Sequence, residues 1–373
     1  MSRFIRKLHL RNLLSFDDCE VELRDLNVLI GPNGAGKSNL IEAIGLLRSL
    51  AYDHGAYLRQ GGGAAAWIWK GPEGPTSAQM DTYLDGGVHG DLRHSFQVNA
   101  DSAGLRWERL YFERTQRDVF NRDGGQLVFE GGPPTAFAFG ESVFRHYKNP
   151  VDSGPTTGIG SELEAIRIYR EFRTGKSESV RIGFGSGEGT RLDEGGQNLA
   201  LVLHDLDLGE RLEAVKDLLG ELNQAYRRVK PRFSNGVWIV QLDEEGLLDP
   251  IPSQRISDGT LKFLCLAALL LDPKPPPLIC LEEPEVGLHP DAMRVVAKLL
   301  LEASERTQLI VTTHSVDLVN EFSAAPEVVM VTEKESHNAT RFSRLDRGKL
   351  KSWLERYKLG ELWQKGEIGG NRW

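Results

Sequence analysis

The chain has 373 residues, 45 lysines and arginines against 53 aspartates and glutamates, and an apolar share of 40%. That share is ample for a packed core and excludes a wholly disordered chain, while a net charge of −8 argues against a protein that coats nucleic acid through a broadly basic surface. Three scattered cysteines, Cys19, Cys265 and Cys280, are too few for a disulfide framework or a zinc site, and a reducing cytosol is their simplest setting.

At ~100–200 residues per domain, the length suits two or three domains or one large domain with insertions. The first residues, Met1 to Lys7, are basic but lack the apolar stretch of a signal peptide. The best apolar run, Phe263 to Leu271, ends at Asp272-Pro273, far short of the ~20 residues of a membrane span. A cytoplasmic protein without membrane attachment is expected.

Residues 3–10 alternate as a strand does, and 21–23 and 27–30 read as further strands. Val28-Leu29-Ile30 is an apolar run that stops at Gly31, as a buried strand stops at a turn. Residues 38–50 carry Leu40, Ile41, Ile44, Leu47 and Leu50 at helical spacing. Between 64 and 140, short β-type stretches such as 95–98, 105–112 and 126–129 predict an antiparallel meander, and the many paired glycines read as its turns. Residues 161–171 and 197–230 look helical, and 237–242 looks like a strand.

From 255 the texture changes. Helix 260–271, strand 278–281, helix 291–304, strand 308–312, helix 316–322 and strand 327–331 alternate, which implies a parallel sheet with helices on both faces. Residues 347–373 predict a helix with Trp353, Leu354, Tyr357 and Leu362, then Trp363 and a Gly-rich end. Trp353, Tyr357, Trp363 and Trp373 could dock a partner, but an aromatic stripe at helical spacing usually faces a core. No fixed-period repeat and no sustained heptad pattern occurs.

Gly31-Pro32-Asn33-Gly34-Ala35-Gly36-Lys37-Ser38 matches G-x-x-x-x-G-K-[ST] between an apolar strand and an amphipathic helix. The glycines let backbone N–H groups curl around a phosphate, and the helix presents its positive end to it. Lys37 then reaches the β/γ oxygens of ATP, and Ser38 can ligate Mg²⁺. Leu278 to Leu281 is an apolar strand that ends in Glu282-Glu283-Pro284-Glu285. Glu282 suits the acidic position beside Mg²⁺, and Glu283 is placed to deprotonate or orient the attacking water. Thr312-Thr313-His314-Ser315 follows the next apolar strand. A His at such a strand end points into the ligand crevice, where His314 could sense the γ-phosphate. Ile256-Ser257-Asp258-Gly259-Thr260 opens a helix. Ser257 or Asp258 can serve as a plain N-cap, or Gly259 can let the backbone approach an anion.

These four pieces, in this order, resemble the ABC-type ATPase head. Within that class the chain is similar to the SMC/RecF/OLD-like branch, and there to the standalone prokaryotic predicted ATPases often labelled AAA family. The opening Phe4 to Phe16 leading to Gly31–Asn39, the run Glu282 to Pro290, Thr313-His314-Ser315, Asn198-Leu-Ala and the closing Gly369 to Trp373 carry the likeness. It implies a P-loop α/β head with a mixed, largely parallel sheet, an antiparallel β-rich lobe and a helical lid. The expected division is 1–60 for the first part of the ATPase lobe, 61–150 for the β-rich part, 151–250 for a helical lid or arm, 251–346 for the second ATPase part and 347–373 for a C-terminal helix and tail. It also implies that ATP joins two copies head to tail, so that Ser257 and Gly259 of one act on the ATP held by Gly31–Asn39 of the other. Three departures stand out. The signature reads Ile256-Ser-Asp-Gly-Thr260, and Asp258 puts a negative charge near the expected phosphate. Glu282 replaces the usual Asp, and His289 stands where many relatives have an Asp. Gln60 is a candidate for the family's loop glutamine, or simply an exposed loop amide.

Four roles follow. The first is an ATP-gated dimer that switches a separate effector chain, such as a nuclease or toxin in phage defence. Only 58 residues follow Ser315, too few for an appended nuclease domain. The second is a RecF-like DNA-binding repair ATPase, with Arg167, Arg170, Arg173, Lys176, Arg181, Arg227, Arg228, Lys230 and Arg232 lining a groove. Interleaved acids favour solvated faces instead, so DNA binding is possible but not indicated by the charge. The third is a nucleotide-sensing scaffold with little turnover. A transporter motor is the fourth and fits the opening motif least.

Overall fold

The computed structural model describes residues 3–72, 74–101, 104–148, 154–185 and 191–370. Its centre is a six-stranded sheet in the order Arg167–Tyr169, Leu278–Glu282, Gln308–Thr312, Leu26–Ile30, Val329–Lys334, Thr340–Arg344. The first five strands run parallel, and Thr340–Arg344 closes the edge antiparallel. Leu26–Ile30 and Gln308–Thr312 are buried along their whole length, and their centres, Val28 to Ile30 and Leu309 to Val311, are unbroken apolar runs as in a strand covered on both faces. Side chains alternate between the faces at the strand period of two. Leu26, Val28 and Ile30 join one core with Phe263, Leu264, Val296 and Leu300. Leu29 joins a second core with Leu40, Ile44, Leu8 and Phe96.

The helix Lys37–Ser49 therefore lies between the central sheet and an eight-stranded antiparallel sheet. That second sheet runs Phe16–Glu22, Ile5–Leu13, Ser77–Asp85, Asp91–Asn99, Leu105–Phe112, Asp118–Asp123, Gln126–Phe129, Thr135–Ala136. The predicted meander is its larger part, and the chain's first two strands complete it. On the other face, the helix Asp258–Leu270 is buried at Thr260, Leu261 and every residue from Phe263 to Leu270. It is apolar around its circumference because it packs inside the head; each such Leu or Phe contributes about 1.5–3 kcal/mol by leaving water.

Several sequence expectations are corrected. Residues 161–171 do not form one helix. The helix Pro155–Ala165 ends there, and Arg167–Tyr169 is a strand paired in parallel with Leu278–Glu282. Residues 197–230 split into helices Leu199–Leu208 and Leu212–Leu222 and the strand Tyr226–Ser234. The stretch 151–250 is thus not purely helical, since it also holds a hairpin of Tyr226–Ser234 with Val237–Glu244. That hairpin and the edge pairs Phe184–Gly185 and Ile251–Pro252 make a small third sheet. Periodicity misled here because Val229 alone is buried in Tyr226–Ser234, leaving no alternation to read. The tail breaks into Arg347–Leu354 and Leu359–Gln364. Trp363 is buried and donates Nε1–H to the Gly370 carbonyl at 3.2 Å, whereas Trp353 is exposed; Trp373 lies outside the described residues. All three cysteines are buried and free. No helix among the described residues is long and apolar enough to cross a membrane.

Candidate active site

Strand register gathers the site. Glu282 pairs with Thr312, and Thr312 pairs with Leu29. Three strand ends therefore finish together, and the loops that follow, at 31–36, 283–289 and 313–315, share one edge of the sheet. Ligands of open α/β sheets bind at such carboxyl ends.

The loop 31–36 curls tightly. Gly31 has φ of 145°, and a Cβ there would lie 2.2 Å from the Thr332 carbonyl oxygen. Gly36 has φ of 113°, and its Cβ would lie 2.2 Å from Thr340 Oγ1 and 2.9 Å from Ser15 Oγ. Thr340 also donates Oγ1–H to the Ala35 carbonyl at 2.7 Å. The loop is thus gripped by the edge strand Thr340–Arg344 and the turn at Ser15. Asn39 serves the same grip, donating its amide to Ser15 Oγ at 2.8 Å. Gly36→Ala is expected to strain the left-handed backbone and push Thr340 aside, at a cost of about 1–3 kcal/mol. A lower melting temperature together with weaker ATP binding is the expected reading; an unchanged melting temperature would show that the loop yields freely.

Lys37 is buried and donates Nζ–H to the carbonyls of Gly31 at 2.7 Å and Pro32 at 3.1 Å. Burial pushes its ammonium down to about 8, against the opposing pull of Glu283 and Glu285. Ser38, at the same helix start, hydrogen-bonds Glu282. Burial raises the Glu282 carboxyl, while Arg170 and the Ser38 bond pull it back. A hydroxyl and a carboxylate side by side are hard oxygen donors that suit Mg²⁺, which takes few protein ligands and fills its remaining positions with phosphate and water. Among the described residues there is no cluster of three or more His, Cys, Asp or Glu that could hold a metal ion.

Glu283 has φ of 46°, a left-handed conformation that costs a non-glycine residue free energy and recurs at functional positions. Its backbone N–H is tied to the Thr312 carbonyl at 3.0 Å. Its carboxylate is half exposed, and Oε1 lies 3.6 Å from His314 Nε2.

Two charged residues at this edge were missed by sequence reasoning. Glu285 Oε1 accepts the Thr313 hydroxyl at 2.6 Å, the His314 N–H at 2.8 Å and the Ser315 N–H at 3.2 Å. It staples the two acidic and histidine loops together. Arg170 follows strand Arg167–Tyr169, with Nη1 2.7 Å from Glu42 and Nε 3.4 Å from Glu282. Its sequence signal was hidden because 166–171 read as helix.

A cleft of about 210 Å³ beside the acidic loop is lined by Arg170, Lys262, Glu282, Glu283 and Val286. Lys262 belongs to the helix that opens with Ser257, and it donates Nζ–H to the Val286 carbonyl at 3.2 Å. Ser257 is the N-cap of that helix, accepting the Thr260 N–H at 3.0 Å. A Cβ on Gly259 would lie 2.8 Å from the Gly287 carbonyl oxygen. Ser257 and Gly259 thus contact residues 260, 261 and 287 rather than the loop 31–36 of their own chain. Asp258 does not stand alone as a charge: it pairs with Arg181. Gln60 lines a separate cavity of about 540 Å³ with Glu42, Tyr57 and Arg170. His289 caps the turn Pro290–Ala292, accepting the Asp291 N–H at 3.3 Å.

Four of the nine basic residues that could line a groove are engaged within the chain. Arg181 is buried, Arg170 sits on Glu42 and Glu282, Arg227 pairs with Glu245 and Lys230 with Asp243.

A family model described as "AAA domain, putative AbiEii toxin, Type IV TA system" matches residues 26–320. Among solved structures, the chain is similar to an Smc head bound to the C-terminal winged-helix domain of ScpA, with a TM-score of 0.60, 15% identity, and 93% of this chain and 99% of that chain covered. It is also similar to an Smc head with an extended coiled coil, derived from Pyrococcus furiosus and bound to the C-terminal domain of ScpA, with a TM-score of 0.59, 14% identity, and 94% and 98% covered. The SMC head domain from Thermotoga maritima gives a TM-score of 0.50 at 16% identity, with 92% and 99% covered. At such identities the likeness is one of fold, and the fold is the P-loop head that the sequence motifs predict.

Proposed function

The chain belongs to this AAA-domain family, and from that premise we propose that it is an ATPase whose two copies close head to tail around ATP and pass the closed state to a separate protein. The observation that carries the reading is the convergence of Lys37, Ser38, Glu282, Glu283 and His314 on the aligned ends of three neighbouring parallel strands.

The residues divide the work as follows. The N–H groups of 34–38 and Lys37 hold the phosphates. Ser38 and Glu282 would hold Mg²⁺, and the cation would supply neutralisation of the phosphate charge. Glu283 accepts a proton from the attacking water and aims it at the γ-phosphorus. His314, 3.6 Å away, orients that carboxylate and contacts the γ-phosphate. Ser257 and Gly259, which contact their own helix and Gly287, complete the site of a second copy.

A separate effector chain is supported in two ways. The family description carries a toxin–antitoxin association, and two of the similar heads are seen with a domain of another protein, ScpA. We place this chain in such a pair, with phage defence as the setting.

The test is complementation in trans. Lys37→Ala and Ser257→Ala are each expected to be inactive alone. Mixed in equal amounts, they form dimers with one intact composite site, so ATP turnover is expected to return to roughly a quarter of wild type, because half the dimers are mixed and each has one good site of two. No recovery on mixing, with both variants folded, would show that Ser257 does not act on a partner's nucleotide.

A further inference from the structure

Asp258 is the most conspicuous oddity of the segment that opens the helix Asp258–Leu270. A carboxylate at that place would repel a phosphate. The residue opposite it is Arg181, on the short helix Ser179–Ile182. Arg181 is only 6% exposed, and all three nitrogens of its guanidinium are engaged. Nε–H is donated to the Thr174 carbonyl at 2.6 Å, and Nη1 donates to the carbonyls of Ser253 at 2.9 Å and Ile256 at 2.7 Å. Nη2 is paired with Asp258. In return, Ser253 donates its hydroxyl to the Arg181 carbonyl at 2.6 Å. One planar cation thus ties down both ends of the segment 253–258, a fork geometry that lysine cannot reproduce. Asp258 keeps a side chain 69% exposed, and its carboxyl is held below the ordinary range by the Arg181 bond.

We propose that Arg181 is a positioning residue for the donor end of this helix: it fixes the backbone at 253–256 and cancels the charge of Asp258, so that Ser257 and Gly259 can meet a phosphate carried by a second copy. This rests on the head-to-tail reading above. The physical reason is electrostatic. An uncancelled carboxylate beside the helix start offsets the positive potential that the helix end would present to a phosphate, and like charges brought together at an interface cost several kcal/mol. The cancelled pair leaves the dipole and the Ser257 hydroxyl to act.

The experiment uses the full chain and four proteins: wild type, Arg181→Gln, Asp258→Asn and the double variant. Glutamine removes the charge but keeps a donor for a carbonyl, and melting temperatures verify folding. Three quantities are read: ATP turnover against protein concentration, the ATP-dependent dimer by chromatography, and binding of a fluorescent ATP analogue to dilute monomer. Arg181→Gln is expected to lower turnover and dimerisation by about tenfold or more with analogue binding unchanged. Asp258→Asn alone is expected to stay within about threefold of wild type. The double variant is expected to turn over severalfold faster than Arg181→Gln, because no unpaired carboxylate remains, while the share of the loss due to the missing carbonyl bonds persists. A purely structural role for Arg181 predicts no such recovery, and a double variant as slow as Arg181→Gln would overturn the charge argument. Arg181→Gln with wild-type dimerisation and turnover would overturn the inference outright. A wild type whose turnover is linear in concentration, without an ATP-dependent dimer, would instead remove the head-to-tail reading on which the inference stands.

Discussion

Glu283→Gln is expected to lower ATP turnover by about 10²–10⁴-fold, the usual contribution of a positioned general base, while ATP still binds. The amide matches the carboxylate in shape, so the left-handed turn at Glu283 and its bond to the Thr312 carbonyl are retained. The loss is the capacity to take a proton from water. With phosphate grip intact and hydrolysis blocked, the closed dimer has no exit, and chromatography with ATP and Mg²⁺ should show a stable dimer that the wild type forms only transiently. A bound partner would then co-purify with the trapped form. Full turnover in Glu283→Gln would remove Glu283 from the role of base. An inactive variant that never dimerises would separate the chemistry from the head-to-tail closure.

Lys37→Ala is expected to weaken ATP binding by roughly 10–100-fold, since a charge-assisted bond to phosphate contributes about 1.5–3 kcal/mol. Lys37 also bonds the carbonyls of Gly31 and Pro32, so alanine loosens the loop as well as removing the charge. A pH experiment isolates the charge. Burial holds the Lys37 ammonium down to about 8, well below the ordinary lysine value. Above that pH the folded protein has released a proton that the unfolded chain still holds. Lys37 therefore costs stability below about pH 8, and the cost is relieved as pH rises from there toward the ordinary lysine value. ATP needs the charged form. Its affinity is expected to be flat below pH 8 and to fall above it, with uptake of a proton on binding near pH 8–9. Calorimetry in two buffers of different ionisation enthalpy reads that uptake directly. Equal heats in both buffers at pH 8.5 would show that Lys37 keeps its proton throughout.

Much of the site was legible as local chemistry. The loop Gly31–Ser38 announces itself because a tight phosphate cradle demands glycines at fixed spacing and a lysine after them. Glu282, Glu283 and His314 were placed by where apolar strands stop, and register then put them side by side. Arg170 was not legible, because its importance depends on a three-residue strand pairing with a partner 112 positions later in register. Glu285 stood in plain sight beside the other acids, but its task, receiving Thr313, His314 and Ser315, exists only once two loops meet. Asp258 looked like a liability by its charge alone. Its answer, Arg181, lies 77 residues away in sequence and was read as part of a basic face.

By itself, the sequence determined the glycine-rich loop at 31–38, the apolar strands behind it, the order of the motifs and the antiparallel meander, because each is written in residue types within a few positions of one another. Tertiary structure alone decided which charges cancel and which loops are tied together. It also decided that the chain's first two strands join the meander and that 226–230, read as helix, belongs to the hairpin strand Tyr226–Ser234. Those outcomes depend on contacts across tens to hundreds of residues, where a buried charge takes whatever opposite charge the packing brings within reach.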